Sequence, residues 1–100
     1  MHNCSVATGD AWLSREVPAL LSSPDYRSGS TALFIAFDED DHTNGNRIPL
    51  FVVAPGVRPA TVSSVAFRHP ALLDLTEQLL GVPALPGATG GTDLRHAFGL

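Results

Sequence analysis

Hydrophobic residues recur at helical spacing in two stretches of the chain. The first begins near Thr8, where Gly9 and Asp10 offer N-cap chemistry. The second begins at Pro70, because proline is tolerated in the first helical turn, and it ends at Gly81. The spacing therefore predicts two amphipathic helices. Their apolar positions are Trp12, Leu13, Val17, Leu20 and Leu21 in the first helix and Leu72, Leu73, Leu75, Leu79 and Leu80 in the second.

Two shorter apolar runs between these helices predict β-strands. Thr31–Phe37 and Ile48–Ala54 have strand length and little polar alternation, which indicates strands buried on both faces. The polar loop Asp40–Arg47 separates them and contains the turn dipeptide Asn44-Gly45. The order helix, strand, strand, helix predicts an α/β sandwich, in which ligands gather at the carboxyl ends of strands.

The remaining segments lack a regular hydrophobic period. Residues 22–30 predict a loop with a turn at 23–25, and residues 58–67 predict a loop or a short strand. Residues 84–100 predict an extended tail with a short helix. With 100 residues, the chain has the length of one domain, 1–100, whose folding hides only about 60–70% of the unfolded surface.

Charge and hydropathy exclude two classes of partner. The formal charge is -4, so no basic face is expected to neutralise a nucleic acid backbone. The stretch Ile48–Val57 is interrupted by proline and glycine and is far shorter than the ~20 residues that cross a bilayer. The N-terminal residues show no signal peptide pattern. We therefore expect neither nucleic acid binding nor a membrane span.

An acidic cluster follows the first predicted strand. Asp38-Glu39-Asp40-Asp41-His42 places four carboxylates and an imidazole at the strand's C-terminal end. This much negative charge needs full solvation or a cation. Two interpretations stay open: a solvated loop, or a site in which Asp38 and Glu39 bind a divalent metal through hard oxygen ligands.

Four segments of the chain form an ordered series of motifs, namely Ala7–Leu13, Ser30–Asp41, Asn46–Pro49 with Val52–Pro55, and His69–Gly81. They resemble consecutive motifs of the phosphoesterase family, which contains bacterial acid phosphatases and phospholipase C-like enzymes. The resemblance covers nearly the whole chain and implies the truncated C-terminal portion of an alkaline-phosphatase-like α/β/α sandwich. The chain is thus expected to be a single partial phosphoesterase domain.

The resemblance implies a metal-dependent hydrolase of phosphate esters. In the family, a metal ion is held by an acid and an asparagine near the N-terminus, by a serine or threonine nucleophile, and by a late acidic pair. Asp38 and Glu39 match that late pair. The nucleophile and the first metal-binding pair have no match here, so no catalytic residue is assigned. We expect a divalent metal of open identity, and no turnover from the isolated chain.

Three further residues match or adjoin the family motifs, each with two open interpretations. His42 stands where many relatives carry glycine or another small residue, so its two interpretations are an auxiliary metal ligand and a loop histidine without a functional role. Arg47 contacts an anionic substrate or pairs with Asp40 or Asp41. His69 lines the phosphate pocket or orients the chain at the start of the second helix.

The single cysteine, Cys4, cannot form a disulfide within the chain. Composition alone leaves three possibilities open, namely a free thiol, an intermolecular bridge and half of a bridge whose other half is missing, and a small packed residue is the alternative without a disulfide. The resemblance implies a disulfide to a cysteine upstream of this sequence, and a secreted or cell-envelope location. It also implies a partner, either the missing N-terminal part or, through open strand edges, a second copy.

Two alternatives compete with the hydrolase interpretation. In one, the chain is a non-catalytic truncated remnant that binds only a metal or a partner. In the other, it is a stand-alone metal-binding module whose ligands are Asp38, Glu39, His42 and His69. The spacing of a calcium-binding loop is absent from the sequence.

Overall fold

The computed structural model describes residues 3–88 and 91–100 of a mixed α/β chain. The chain divides into two compact units, Met1–Pro55 and Gly56–Leu100. The elements are α1 (Val6–Leu21), α2 (Pro24–Arg27), β1 (Leu33–Ala36), β2 (Leu50–Val53), α3 (His69–Leu80) and α4 (Leu94–Phe98). The first unit contains α1, α2 and both strands, and the second contains α3 and α4.

Helix α1 begins earlier than its sequence pattern predicts. Ser5 is the N-cap residue, and its hydroxyl accepts a hydrogen bond from the Thr8 N–H at 3.1 Å. The prediction of an N-cap at Gly9 or Asp10 is wrong, because Ser5 already satisfies an N–H group of the first turn.

The segment predicted as a loop, residues 22–30, contains the short helix α2. Ser23 caps this helix by accepting a hydrogen bond from the Tyr26 N–H at 3.2 Å, and Pro24 follows it in the first turn. Both residues are favoured at these positions, since serine supplies an acceptor and proline needs no N–H partner there. The loop prediction is therefore wrong for Pro24–Arg27.

The two strands form an antiparallel hairpin. Leu33 lies opposite Val53 and Ala36 lies opposite Leu50, so the loop that joins the strands spans residues 37–49. The strands were located correctly by the apolar runs, although each is shorter than its run. Since the pairing is antiparallel, the end of β1 and the start of β2 meet at the same end of the hairpin, where the acidic cluster lies.

The hairpin is only half-buried, so the prediction of strands buried on both faces is wrong. Three of the four residues of each strand have intermediate exposure, whereas Ala36 and Phe51 are exposed. A two-stranded sheet gives each strand one neighbour, and the extensive element contacts of the first unit are β1 with β2 and α1 with α2. The apolar side chains of the two strands are therefore not packed between layers of helices, as they would be in a buried parallel sheet.

The second unit contains a small buried core. Helix α3 starts with His69 and Pro70 and ends at Gly81, whose φ of 66° closes it in a left-handed conformation, as predicted. Helices α3 and α4 pack against each other. The buried apolar residues are Ala71, Leu75, Ala88 and Leu94.

The last helix, α4, lies where the sequence predicts a final helical turn. Asp93 caps it by accepting a hydrogen bond from the His96 N–H at 3.0 Å. Before it, the Ala88 N–H donates to the Leu85 carbonyl at 3.1 Å, which closes a turn within the predicted extended tail. Residues 89 and 90 of that tail lie outside the described residues. No helix in the described ranges is long and apolar enough to span a bilayer.

Candidate metal-binding site

The loop between β1 and β2 lines an open depression of about 830 Å³ in the first unit. Four residues singled out by the sequence lie around it, namely Asp38, Glu39, His42 and Arg47. Cys4 also lines it and is exposed to solvent. The hairpin therefore gathers the predicted metal-binding pair and two of its three predicted auxiliary residues in one place.

The carboxylate of Asp40 organises this loop. Its Oδ1 accepts a hydrogen bond from the His42 N–H at 2.7 Å. Its Oδ2 accepts from the Asn46 N–H at 2.7 Å and from the Asn44 N–H at 3.1 Å. The Asp40 N–H in turn donates to the Asn46 side-chain oxygen at 3.0 Å. Asp40 and Asn46 thus hold the two sides of the loop together by reciprocal hydrogen bonds.

These bonds also set the protonation of Asp40. The hydrogen bond from the His42 N–H is the largest cause that lowers the pKa of the carboxyl below its ordinary value. Partial burial acts in the opposite direction, and the N–H groups of Asn46 and Asn44 add to the lowering. Backbone donors stabilise the charged form, so Asp40 is ionised and bound to its own loop.

Asp41 is also used within the loop. Its Oδ1 accepts from the Thr43 N–H at 3.2 Å and from the Thr43 hydroxyl at shorter range. The sequence left open a pairing of Arg47 with Asp40 or Asp41. In the part of the chain that the structure describes, the hydrogen bonds to these two carboxylates come from the loop backbone and Thr43, and none comes from Arg47.

Three loop residues adopt left-handed backbone conformations. The φ angles are 66° for His42, 63° for Gly45 and 60° for Asn46. Histidine and asparagine enter this region more readily than most residues, and glycine enters it without strain. A glycine at the position of His42 would adopt this conformation without strain.

Asp38 and Glu39 are exposed and follow β1 by only one residue, Phe37. The Glu39 N–H donates a hydrogen bond to the Asp38 Oδ1 at 3.0 Å, which fixes the Asp38 side chain to the backbone of the next residue. Two adjacent carboxylates offer the hard oxygen donors that divalent metals such as Mg²⁺ and Ca²⁺ bind. The donor atoms of Asp38 and Glu39 therefore fit part of a ligand set for such a metal.

The described residues do not close a metal site by themselves. Among residues 3–88 and 91–100, no group of three or more histidine, cysteine, aspartate and glutamate side chains is arranged to hold a metal ion. A stand-alone metal module with four ligands from this chain gains no support from this arrangement. His69 is the exposed first residue of α3 in the second unit.

Sequence reasoning missed the role of Asp40. The hydrogen bonds of Asp40 depend on left-handed turns at His42 and Asn46, which the acidic pattern does not reveal. A signal was nevertheless present, because Asp and Asn side chains flanking an Asn-Gly dipeptide favour loops closed by side-chain to backbone bonds.

Comparison with known proteins gives two matches. Residues 1–83 match the sequence profile of the Phosphoesterase family. The chain is also 32% identical over 99 residues to a phosphatidylinositol-3-phosphatase of Mycobacterium tuberculosis (strain ATCC 25618 / H37Rv). That match covers 99% of this chain and 32% of the relative, so the chain spans about a third of the relative's length. No solved structure matches the chain.

Proposed function

Because the chain belongs to the phosphoesterase family, we propose that it is part of a metal-dependent hydrolase of phosphate esters. Its relative is named for a phosphatase activity, and about two thirds of that protein lies outside the match. The nucleophile and the first metal-binding pair would come from that larger part. This chain would supply the late acidic pair, Asp38 and Glu39.

One observation carries this assignment: Asp38 and Glu39 line the open depression at the end of β1, beside a loop that its own hydrogen bonds close. Asp40 and Asp41 line the same depression and accept hydrogen bonds from the loop, which hold its shape. A strand end fixed by a closed loop is a suitable support for two ligands, because ligands on rigid elements keep their positions.

The chemistry of each residue follows from its donor atoms. A divalent metal, when bound, would supply Lewis-acid polarisation of a phosphoryl oxygen. Asp38 and Glu39 would hold it through carboxylate oxygens. Arg47, on the same depression, offers a guanidinium that binds a phosphate ester through paired N–H donors. His42 would be an auxiliary ligand, and His69 would line the phosphate pocket or orient the start of α3.

The proposed fold of the whole enzyme is an alkaline-phosphatase-like α/β/α sandwich, of which this chain is the C-terminal portion. The apolar hairpin supports this proposal, since both strands carry side chains typical of the interior of such a sheet. A secreted or cell-envelope location, with Cys4 in a disulfide to an upstream cysteine, is part of the same proposal. The exposure of Cys4 is compatible with such a bridge.

The metal assignment is tested by thermal unfolding of the chain with Mg²⁺, Mn²⁺, Ca²⁺ or Zn²⁺. A metal that binds only the folded state stabilises it by about 1.4 kcal/mol at ten times its Kd, which raises the Tm. We expect the rise to disappear in Asp38→Asn and Glu39→Gln. The matched control is Asp10→Asn, which removes the same charge from an exposed acid on α1 and should keep the rise.

Activity assays separate the proposed part-enzyme from a complete one. The isolated chain should not hydrolyse a generic aryl phosphate with any of these metals, because no nucleophile is assigned in it. Robust turnover by the purified chain that Asp38→Ala abolishes would refute this view. A metal-dependent Tm rise that survives both the Asp38 and the Glu39 substitutions would remove these residues from the site.

A further inference from the structure

The tip of the loop between β1 and β2 is a tight turn with the sequence Asn44-Gly45-Asn46-Arg47. The Arg47 N–H donates a hydrogen bond to the Asn44 carbonyl at 3.3 Å, and the two central residues have φ angles of 63° and 60°. Positive φ at both central positions is typical of a type I′ turn. The turn therefore holds the backbone on both sides of the peptide bond between Asn44 and Gly45.

Two groups in this turn that can react with each other have no hydrogen bond. Among the described residues, none bonds to the Asn44 side-chain amide or to the Gly45 N–H, whereas the Asn44 N–H donates to Asp40 at 3.1 Å. Asn44 is exposed to solvent. Apart from its chain neighbours, no atom lies within 4 Å of the place where a β-carbon on Gly45 would stand. Water therefore reaches an amide side chain and the backbone nitrogen that follows it.

We propose that Asn44 is a site of spontaneous deamidation. A base in the solvent takes the proton of the Gly45 N–H, and the nitrogen attacks the side-chain carbonyl carbon of Asn44. The new C–N bond closes a succinimide ring, and the amide nitrogen leaves as ammonia. Water then opens the ring, on its side-chain side to give aspartate or on its backbone side to give isoaspartate. One water enters and one ammonia leaves, so the reaction needs only the loop and solvent and does not depend on the proposed hydrolase activity.

Asn46 lies in the same turn but lacks both conditions. Its side-chain oxygen accepts the Asp40 N–H at 3.0 Å, and the N–H that follows it, that of Arg47, is bonded to the Asn44 carbonyl. Ring closure at Asn46 therefore requires two hydrogen bonds to break first. The Arg47 side chain also crowds the attacking nitrogen, whereas glycine has no β-carbon. The turn thus selects one of its two asparagines.

Deamidation changes the charge of the loop and, in one product, its backbone. Asn44 lines the depression together with Asp38 and Glu39, so either product adds a carboxylate there. Isoaspartate also adds one carbon to the backbone between residues 44 and 45. This displaces Asn46 from Asp40, with which it exchanges hydrogen bonds. The loop therefore loses its closure as the chain ages.

Ageing of the purified protein tests this proposal. The full chain is incubated in mildly alkaline buffer and sampled over time, and its asparagine-containing peptides are analysed by mass spectrometry. Asn44 should convert at least about tenfold faster than Asn46, a ratio that corresponds to a barrier difference of only about 1.4 kcal/mol. Both aspartate and isoaspartate should appear at position 44, and labelling by an isoaspartate methyltransferase identifies the second.

Two controls separate the turn from the residue type. Asn44→Gln keeps an amide but needs a larger ring, so it should remain unconverted while its circular dichroism matches that of the unmodified chain. Unfolding in urea should accelerate conversion of Asn46 more than that of Asn44, because it removes the hydrogen bonds that protect Asn46. Asparagine is thermolabile in proteins generally, so only the ratio of the two rates reports the turn.

The product forms test the loss of loop closure. In the isoaspartate form, separated by anion-exchange chromatography, the Asn46 amide should lose at least about tenfold of its protection against hydrogen exchange. Asn44→Asp, which adds the charge without the extra carbon, should lose less.

Three outcomes would overturn the proposal. One is an Asn44 amide that survives in the folded chain under conditions that convert it in urea. Another is equal conversion of Asn44 and Asn46 in the folded chain, because the turn would then select neither. The third is an isoaspartate form in which the Asn46 amide is as protected as before, since its bond to Asp40 would then tolerate the longer backbone.

Discussion

In the second unit, Leu75 and Leu94 are buried where α3 packs with α4, whereas none of residues 3–55 in the first unit is buried, despite its longer helix and its sheet. The contrast is not one of composition, since both units are rich in leucine, valine and phenylalanine. It is one of packing partners: α3 packs against α4, whereas among the described elements the extensive contacts of the hairpin are those between its own two strands. The acidic cluster lies in the unit without a core.

The largest effect that tests this contrast is expected from Leu75→Ala. Leu75 is 1% exposed, so its truncation removes apolar burial and leaves a cavity, at a cost of about 2–5 kcal/mol. Urea unfolding followed by helical circular dichroism measures this loss. The control is Leu80→Ala on the same helix, at a 71% exposed position, which should change stability by less than about 0.5 kcal/mol. Equal losses would show that α3 has no core in solution.

Glu77→Ala should have the next largest effect. The Glu77 side chain is 5% exposed, and its Oε1 accepts the Leu85 N–H at 3.1 Å, which fixes the turn after α3. Loss of this acceptor should cost about 1–3 kcal/mol in the same unfolding measurement. The neighbouring Gln78→Ala removes only an exposed side-chain hydrogen bond to Asp74. Its loss of stability should be about 0.2–0.5 kcal/mol, which is typical of a side-chain pair on a helix surface. A loss of stability in Glu77→Ala no larger than that in Gln78→Ala would contradict a stabilising role for the hydrogen bond between Glu77 and Leu85.

Phe51→Ala should have a smaller effect on the isolated chain than either core substitution. The ring is 54% exposed, so truncation loses about half of the ~1.5–3 kcal/mol that full burial of such a side chain contributes. We expect about 1 kcal/mol, measured by urea unfolding. A loss as large as that of Leu75→Ala would mean that the hairpin is buried in solution and that the two units do not differ.

The smallest effect concerns Asp40 and is local to its loop. Since the folded state lowers the pKa of Asp40, the carboxylate contributes stability above its ordinary pKa, and this contribution is lost as pH falls through the lowered value. Nuclear magnetic resonance should show an Asp40 carboxyl midpoint below that of an unfolded aspartate. The protection factors of the His42 and Asn46 amides, which correct for the fall of intrinsic exchange with pH, should decrease below that midpoint. Asp40→Asn should abolish the pH step, and a normal midpoint would contradict the role of Asp40.

Features set by local chemistry could be predicted from the sequence. Pro70 and Gly81 bound α3 correctly, because proline in a first turn and glycine beyond a last turn act within a few residues. The same local rules, applied to Ser5 and to Ser23-Pro24, would have given the start of α1 and the presence of α2. The sequence therefore contains the capping residues that set the start of α1 and form α2.

Burial and side-chain orientation could not be predicted in this way. The strand positions were correct, but burial of a strand depends on neighbours that its own residues do not encode. In the acidic cluster, the sequence does not distinguish Asp40 from Asp38. The difference arises from the left-handed turns at His42 and Asn46, which bring three backbone N–H groups onto Asp40.

The positive φ angle of His42 has a consequence for how this loop can evolve. Histidine, aspartate and asparagine are the non-glycine residues most often found in that conformation. Histidine codons reach both aspartate and asparagine codons by single-base changes, and aspartate codons reach glycine in one more. The position can therefore exchange an imidazole for a carboxylate, an amide or a bare backbone while the backbone conformation of the loop is kept.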